Sequence, residues 1–166
     1  MKNILIIIIA FQLYSCDKEN YSYIAQDQKP ILQNEDTVCF INNENAIDSF
    51  VIKRRDYFEV FDKVNYLENI DVRYLKINER STFTDFFIQQ GLSSSSISID
   101  GSYFEPTWAN KETIDLNINE VVYHSVYFMH SDQFSDSIPS TIYYSYKYGI
   151  LRYDYPDNTC FELKNN

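Results

Sequence analysis

YYSYKYGILRYDYPDNTCFEL, residues 143–163, is the stretch that decides the fold of this chain. It contains three short apolar and aromatic runs, separated by Gly149 and by a Pro-Asp-Asn sequence at residues 156–158. Proline favours the first central position of a type I turn, and asparagine tolerates the left-handed conformation. Residues 156–158 are therefore predicted to form a three-residue hairpin loop with a bulge between two antiparallel strands.

The residues before this stretch continue the β pattern back to Thr37. Ile114, Leu116 and Ile118 alternate with polar residues at a period of two, as in a strand with one buried face. Val121–Met129 is mostly apolar on both faces, which predicts a central strand covered on both sides. The helical signal is limited to a turn or two over Asp62–Asn69.

The fold class predicted from this pattern is mainly β, with little helix. Strands recur every 8–15 residues with turn signals between them, which indicates a single antiparallel β-sandwich or a half-open β-barrel meander over residues 37–166. The chain of 166 residues is long enough for one domain with a sizeable core.

The N-terminus has the pattern of an export signal. Lys2 precedes the largely apolar run Ile4–Leu13, which as a helix would span only about 15 Å of a hydrocarbon core about 30 Å thick. Residues 1–15 are therefore predicted to be a secretory signal peptide. The following LYSC, residues 13–16, resembles a bacterial lipobox, which implies cleavage after Ser15 and attachment of diacylglycerol to the Cys16 thiol. An ordinary signal followed by an incidental cysteine is the alternative.

Residues 16–36 are predicted to be a lipidated cysteine and a flexible tether. The segment is polar, contains Lys29-Pro30 and shows no sustained period. Twenty flexible residues have a typical end-to-end distance of about 25 Å. The alternative left open is an ordered lead-in, in which Tyr21, Tyr23 and residues 31–32 dock on the domain.

The charge of the chain limits its partners. Fourteen basic and 24 acidic residues leave a net charge of −10. Nucleic-acid binding is not expected, because it needs clustered Lys and Arg. Residues 53–55, the one basic cluster, are interpreted as a solvated hairpin turn. An acidic body is repelled by anionic lipid surfaces, so attachment to a bilayer depends on acylated Cys16.

Cys39 and Cys160 are the two cysteines of the predicted domain. Export would place them in an oxidising compartment, where a disulfide between the first and last strands could persist. A disulfide that closes a loop of about 120 residues contributes roughly 4–5 kcal/mol to stability in chain-entropy models. Two free, buried thiols are the alternative.

Motifs for catalysis or metal binding are not found in the sequence. His124 and His130 would lie about 20 Å apart in a regular strand, too far for one metal ion. Glu105 and Trp108, in SYFEPTW, are the candidate ligand-binding residues, because an aromatic side chain beside an acid can line a sugar site. The alternative is a turn at Pro106 with the tryptophan in the core. The chain is predicted to be no enzyme and to need no cofactor or metal.

The C-terminal tail and the lipobox together carry a family resemblance. YYSYKYGILRYDYPDNTCFEL is similar to the C-terminal hairpins of small envelope lipoproteins of Bacteroidetes-type bacteria, and Asp17 and Glu19 look like their acid-containing export tags. A weaker likeness exists to periplasmic lipoprotein carriers with a half-open β-barrel. The resemblance implies a membrane-anchored envelope lipoprotein, in the outer membrane and surface-exposed in some cases, with a non-catalytic binding or assembly role. The alternatives are a carrier of an apolar ligand and a carbohydrate-binding surface lipoprotein; a protein or glycan partner is not identified.

Overall fold

The computed structural model describes residues 18–77, 85–91, 95–99, 102–104, 113–131 and 136–164. These residues are mainly β, as predicted, with one short 3-10 turn at Gln26–Gln28. The strands are β1 Asn20–Ser22, β2 Thr37–Asn42, β3 Ile47–Val60, β4 Asn65–Lys76, β5 Asp85–Gly91, β6 Ser95–Ile99, β7 Ser102–Phe104, β8 Thr113–Ile118, β9 Val121–His130, β10 Thr141–Ser145, β11 Gly149–Asp154 and β12 Cys160–Leu163.

Eleven of these strands form one antiparallel sheet that is not closed. The order is β7-β6-β5-β4-β3-β2-β12-β11-β10-β9-β8. The sheet therefore consists of two meanders, β2–β7 and β8–β12, joined by the pairing of β2 with β12. The two edges, β7 and β8, are consecutive in the chain. β1 adds a parallel pairing with β4. Of the two predicted arrangements, the structure therefore has the open meander.

The sheet curls so that its two halves meet across a common interior. Neighbouring strands lie about 4.8 Å apart, so a flat sheet would separate β5 from β11 by about 24 Å. The rings of Phe86 on β5 and Tyr153 on β11 nevertheless lie 5.3 Å apart. The inward-facing side chains of the two meanders thus form one core.

Alternation along the strands places the large side chains in this core. On β3, Phe50 and Ile52 are fully buried, whereas Lys53, which follows Ile52 and points to the other face, is exposed. On β5, Phe86 and Ile88 alternate with partly exposed residues. Aromatic rings join the strands across the interior through the pairs Phe40–Phe50, Phe40–Tyr153, Phe50–Phe86, Tyr74–Phe86 and Tyr153–Phe161.

The predicted C-terminal hairpin loop is confirmed. The backbone N–H of Tyr155 donates to the carbonyl of Thr159 at 2.8 Å across the three-residue loop. Asn158 has a φ of 66°, the left-handed conformation that this loop requires. The backbone N–H of Thr159 donates to the Asp157 carboxylate, and this hydrogen bond lowers the pKa of Asp157.

The β8–β9 hairpin forms a small second cluster on the other face of the sheet. Its turn, Asn119-Glu120, has positive φ at both positions, as in a type I′ turn. Asn119 donates to the carbonyl of Leu163 on β12 at 3.2 Å, and the Tyr123 and Tyr148 rings lie 5.2 Å apart. Buried members of this cluster are Ile118, Tyr123, Val126 and Leu151.

The prediction that Val121–Met129 is a central strand covered on both sides holds only in part, because β9 pairs with both β8 and β10 but is not covered on both faces. β9 lies next to the edge strand β8, and Val121 and Val122 are exposed. Ser125, with a φ of 56°, interrupts the strand where its pairing with β8 shifts register. The buried residues of β9 are divided between the two clusters: Tyr123 and Val126 belong to the smaller one, and Met129 belongs to the main core.

The helical expectation for Asp62–Asn69 is also wrong. Asp62 accepts hydrogen bonds from the backbone N–H groups of Val64 and Asn65, both at 3.0 Å, and so holds a tight turn. These bonds lower the pKa of Asp62, with Val64 the main cause. β4 begins directly after this turn.

Cys39 and Cys160 are free thiols, so the disulfide considered from the sequence is not formed. The backbone N–H of Lys164 donates to the carbonyl of Cys39 at 2.8 Å, which places Cys160 four residues further along the paired strand. That offset is about 13 Å at about 3.3 Å per residue, whereas a disulfide needs Cα atoms roughly 4.4–6.8 Å apart. Both side chains are half-buried.

Candidate functional site: the N-terminal end of the domain

The segment that leads into the domain, residues 18–36, is packed on the sheet. Ile24 is only 4 % exposed and belongs to the main core. Its backbone N–H donates to the Glu68 carboxylate on β4 at 2.8 Å. We call residues 18–36 the lead-in segment.

Two ionic groups hold the lead-in segment down. Glu68, itself buried, also pairs with the Lys29 ammonium. The Arg54 guanidinium donates to the carbonyls of Pro30 and Leu32 at 2.7 and 2.9 Å, and is oriented by a bidentate pair with Asp56. That hydrogen-bonded pair raises the pKa of Arg54. A carbonyl bonded to a charged donor in a part-buried setting is strongly held.

The prediction of a flexible tether over residues 16–36 is therefore corrected for residues 18–36. Four buried or ionic contacts fix this segment, so the ordered lead-in, the alternative considered from the sequence, is the one observed. Its hydrogen-bond partners come from β3, β4, β5 and the β10–β11 turn, and most of them lie far from it in sequence. Cys16 lies outside the described residues.

The lead-in segment begins beside a hairpin that projects beyond the sheet. β3 and β4 pair over their full length, but the pairing of β4 with β5 ends at Asn69 and Gly91. The hairpin continues for six residues to its turn at Asp62-Lys63, about 20 Å at about 3.3 Å per residue. β1 pairs with β4 along this extension, with Tyr21 opposite Tyr66.

The extension carries exposed aromatic and aliphatic side chains. Tyr21 stacks on Tyr66 with ring centroids 4.8 Å apart, and the Phe58 ring lies edge-on to both Tyr21 and Tyr23 at 5.1 and 5.3 Å. Phe61 and Val60, next to the turn, are 69 % and 62 % exposed. We call Tyr21, Tyr23, Phe58, Val60, Phe61 and Tyr66 the aromatic patch.

The rim of the aromatic patch is polar. Glu19 accepts hydrogen bonds from the hydroxyls of Tyr21 at 2.9 Å and Tyr66 at 3.3 Å. The hydrogen bond to Glu19 raises the pKa of Tyr21, and the charge of Glu19 raises that of Tyr66. Apolar ring faces and hydrogen-bonded hydroxyls thus lie side by side, an arrangement suited to a boundary between apolar and wet surroundings.

A polar cleft of about 360 Å³ lies behind the lead-in segment. Of its cations, Lys29 and Arg54 are already paired with carboxylates. Lys147 is exposed and lies 5.1 Å from the centre of the Tyr148 ring. The residues that line the cleft are Gln26, Lys29, Pro30, Ile31, Gln33, Arg54, Asp56 and Lys147.

The basic cluster at residues 53–55 lies in the middle of β3, so its interpretation as a hairpin turn is wrong. Lys53 and Arg55 point outward, opposite Arg73 and Asp71 on β4. Lys53 pairs with Glu35, and Arg55 pairs with Asp71 at 2.7 Å. The hydrogen bond to Asp71 raises the pKa of Arg55, and the two carboxylates offset the positive charge of Lys53 and Arg55.

The interior that an apolar carrier would need is filled by rings in the described part of the chain. Polar groups there are joined in pairs: the Tyr153 hydroxyl donates to Asp48 at 2.8 Å, and Tyr74 accepts from the backbone N–H of Ile150 at 3.1 Å. Burial raises the pKa of both tyrosines. The hydroxyls of Tyr153 and Tyr74 are therefore used in structural contacts.

The candidate residues named from the sequence are not brought together. Glu105 and Trp108 lie outside the described residues, as Cys16 does. Both histidines lie on β9: His124 pairs with Asp115 on β8 at 3.0 Å, and His130 contacts Thr141 on β10. Within the described ranges, the structure contains no group of three or more His, Cys, Asp or Glu side chains arranged to hold a metal ion.

The aromatic patch was missed by the reasoning from sequence. The run YFEVF at residues 57–61 is apolar on both faces of a strand that ends in a turn, and that is the signal from which it could have been found. Tyr21 and Tyr23 could not be added to it without the parallel pairing of β1 with β4, which joins residues 45 apart.

Comparison with protein-family models, with curated proteins and with solved structures found no match for this chain. Over the part of the chain that the structure describes, no helix has the length and hydrophobicity needed to span a bilayer.

Proposed function

We propose that this chain is a non-catalytic lipoprotein of the bacterial cell envelope, anchored through acylated Cys16, whose β domain binds or assembles with an envelope partner. The observation that carries the proposal is the placement of the lead-in segment. Its backbone pairs with β4 from Asn20, four residues after Cys16, and further contacts at Ile24 and Lys29 hold it to the domain. A short covalent link to lipid is the simplest use of such a terminus.

The non-catalytic role is supported by the way the polar side chains are used. Glu68 and Arg54 hold the lead-in segment, and Asp48 holds Tyr153 across the core. Catalytic acids and bases are instead placed in clefts with access to a substrate. The carrier alternative needs an empty apolar interior, and the ring packing of the described strands does not favour it.

Metabolic labelling tests the anchor. Radiolabelled palmitate should enter the wild-type chain and fail to enter Cys16→Ser, while Cys39→Ser, which also removes one thiol, should label normally. The mature protein should begin at Cys16 by mass spectrometry and carry acyl chains. A wild-type chain that keeps residues 1–15 and takes up no palmitate would contradict the proposal.

The membrane and leaflet are tested by fractionation and by protease added to intact cells. An outer-membrane protein that faces outward should appear in the outer-membrane fraction and be cleaved in whole cells. A periplasmic orientation should leave it intact until the outer membrane is opened. Recovery in the soluble fraction would contradict anchorage.

A further inference from the structure

The distance from Cys16 to the aromatic patch is short. Cys16 precedes Lys18, the first described residue, by two positions, and a fully extended chain covers at most about 3.5 Å per residue. The Cα atom of Cys16 therefore lies within about 7 Å of that of Lys18, and within about 14 Å of the first residue of β1. An acyl chain on Cys16 would bring the patch to the bilayer surface.

The lead-in segment also restricts how the domain can turn on its anchor. A flexible tether of twenty residues would let the domain move about 25 Å from the headgroups. With the backbone paired to β4 from Asn20, only residues 17–19 separate Cys16 from the folded body. The projecting end of the β3–β4 hairpin is the part of the domain that lies next to that anchor.

The chemistry of the patch matches the interfacial zone of a bilayer. Tyrosine and other aromatic side chains are enriched where membranes meet water, because an apolar ring and a polar hydroxyl can each meet suitable surroundings. Phe61 and Val60 present apolar side chains at the turn, and Tyr21 and Tyr23 present rings with hydroxyls. Lys18 and Lys63 flank the patch and can reach headgroup phosphates with their long side chains.

The charge of the rest of the molecule makes such a contact useful. The chain carries a net charge of −10, so an anionic leaflet repels its body as a whole. An apolar contact at the anchored end does not depend on that charge. It would hold one end of the domain on the lipid while the acidic remainder faces away.

We infer that the aromatic patch seats on the lipid bilayer and enters its interfacial zone beside acylated Cys16. This inference rests on the proposed function, because it takes the lipid on Cys16 as the reason why the patch meets a membrane. The occupant is the surface of a zwitterionic bilayer. A glycan or a protein on the same patch is an alternative that the experiment below separates.

Tryptophan quenching in the acylated protein tests the seating. Phe61→Trp places a reporter on the patch, and Val122→Trp places one on the β8–β9 hairpin, at another exposed site. Each protein is reconstituted in phosphatidylcholine vesicles with bromine near the top of the acyl chain, and the wild-type emission of Trp108 is subtracted. Quenching of the reporter in Phe61→Trp but not in Val122→Trp is expected; equal emission from both, in protein that floats with the vesicles, would overturn the inference.

A second measurement separates the patch from the anchor. Residues 17–166 contain every described contact of the fold, so this body is produced with an N-terminal histidine tag and held on nickel-chelating lipid in place of the acyl chains. The Phe61 reporter should again be quenched. If palmitate labelling fails but this quenching is seen, the anchor proposal falls and the seating stands.

Paired substitutions measure what the exposed side chains contribute. Val60→Ser with Phe61→Ser should lower binding of the untagged body to phosphatidylcholine vesicles about thirtyfold, the factor expected when the exposed two thirds of one Val and one Phe no longer leave water. Val121→Ser with Val122→Ser, the matched control, should leave binding unchanged. Equal binding by both pairs, or a patch reporter that responds to soluble polysaccharide or to a protein partner and not to vesicles, would overturn the inference.

Discussion

Substituting Tyr153 with phenylalanine should destabilise the domain through one buried hydrogen bond. The Tyr153 hydroxyl donates to Asp48 Oδ2 at 2.8 Å, and Asp48 is 0 % exposed. The other oxygen of that carboxylate has no hydrogen-bond partner among the described residues. Tyr153→Phe keeps the ring, so the contacts with Phe40, Phe86 and Phe161 are retained and the change is confined to the hydroxyl.

The expected loss follows from the state in which the substitution leaves Asp48. A hydrogen bond to a charged group contributes about 1.5–3 kcal/mol, and the stranded buried acceptor keeps its desolvation cost. We therefore expect the free energy of unfolding to fall by about 2–3 kcal/mol. For a chain of this size, that corresponds to a thermal midpoint lower by roughly 5–10 °C.

Urea unfolding followed by circular dichroism measures this change. Tyr23→Phe, which removes a hydroxyl from an exposed ring, is the control and should change the free energy of unfolding by less than about 0.5 kcal/mol. Asp48→Asn combined with Tyr153→Phe should be more stable than Tyr153→Phe alone, because the amide removes the unpaired buried charge. The reasoning is refuted if Tyr153→Phe is as mild as Tyr23→Phe, or if Asp48→Asn brings no recovery.

Three further predictions concern pH, the β10–β11 turn and the lead-in segment. Burial raises the pKa of Tyr74, Tyr144 and Tyr153, so the unfolded chain releases these protons above about pH 10 while the folded protein keeps them. The free energy of unfolding is therefore unaffected by these groups below about pH 10 and falls by about 4 kcal/mol per pH unit above it. An alkaline titration followed by circular dichroism that shows no unfolding up to about pH 12 would contradict this. Gly149 has a φ of 78°, and a Cβ there would lie 2.0 Å from the Tyr74 hydroxyl oxygen. Gly149→Ala should therefore lower the free energy of unfolding in urea by at least about 2 kcal/mol. An unchanged midpoint would show that the turn can relax. Glu68→Gln leaves Lys29 without its carboxylate and should speed amide hydrogen exchange over residues 20–32. Glu59→Gln, on the exposed hairpin, is the control. Protection in Glu68→Gln equal to that of the wild type would mean that the ion pair does not hold the segment.

The outcome for individual residues shows which features sequence reasoning could reach. The loop at residues 156–158 was predicted correctly because proline and asparagine restrict φ through local sterics alone. Cys39 and Cys160 could not be resolved, since the distance between them depends on the register of two strands at opposite ends of the chain. Residues 53–55 were misassigned because a basic run in a long, partly exposed strand has the same composition as a turn.

The candidate site divides in the same way. Exposed aromatic residues at 57–61 are visible in the sequence, but their meeting with Tyr21 and Tyr23 depends on the pairing of β1 with β4. The order in the lead-in segment depends on Glu68 and Arg54, which are distant in sequence. Composition alone makes that segment look like a linker, because most of its residues are polar.

What the amino-acid sequence determined by itself was the secondary-structure class, the local turn at residues 156–158 and the acidic character of the molecule, all of which depend on short-range sterics or on a sum over residues. The tertiary structure alone decided that the sheet stays open between β7 and β8, that the two thiols lie apart and that the N-terminal segment packs against the sheet beside an aromatic hairpin. The physical reason is that strand register, sheet curvature and side-chain packing are collective. Each depends on contacts between residues far apart in the chain, and periodicity along the sequence does not specify which distant strands meet.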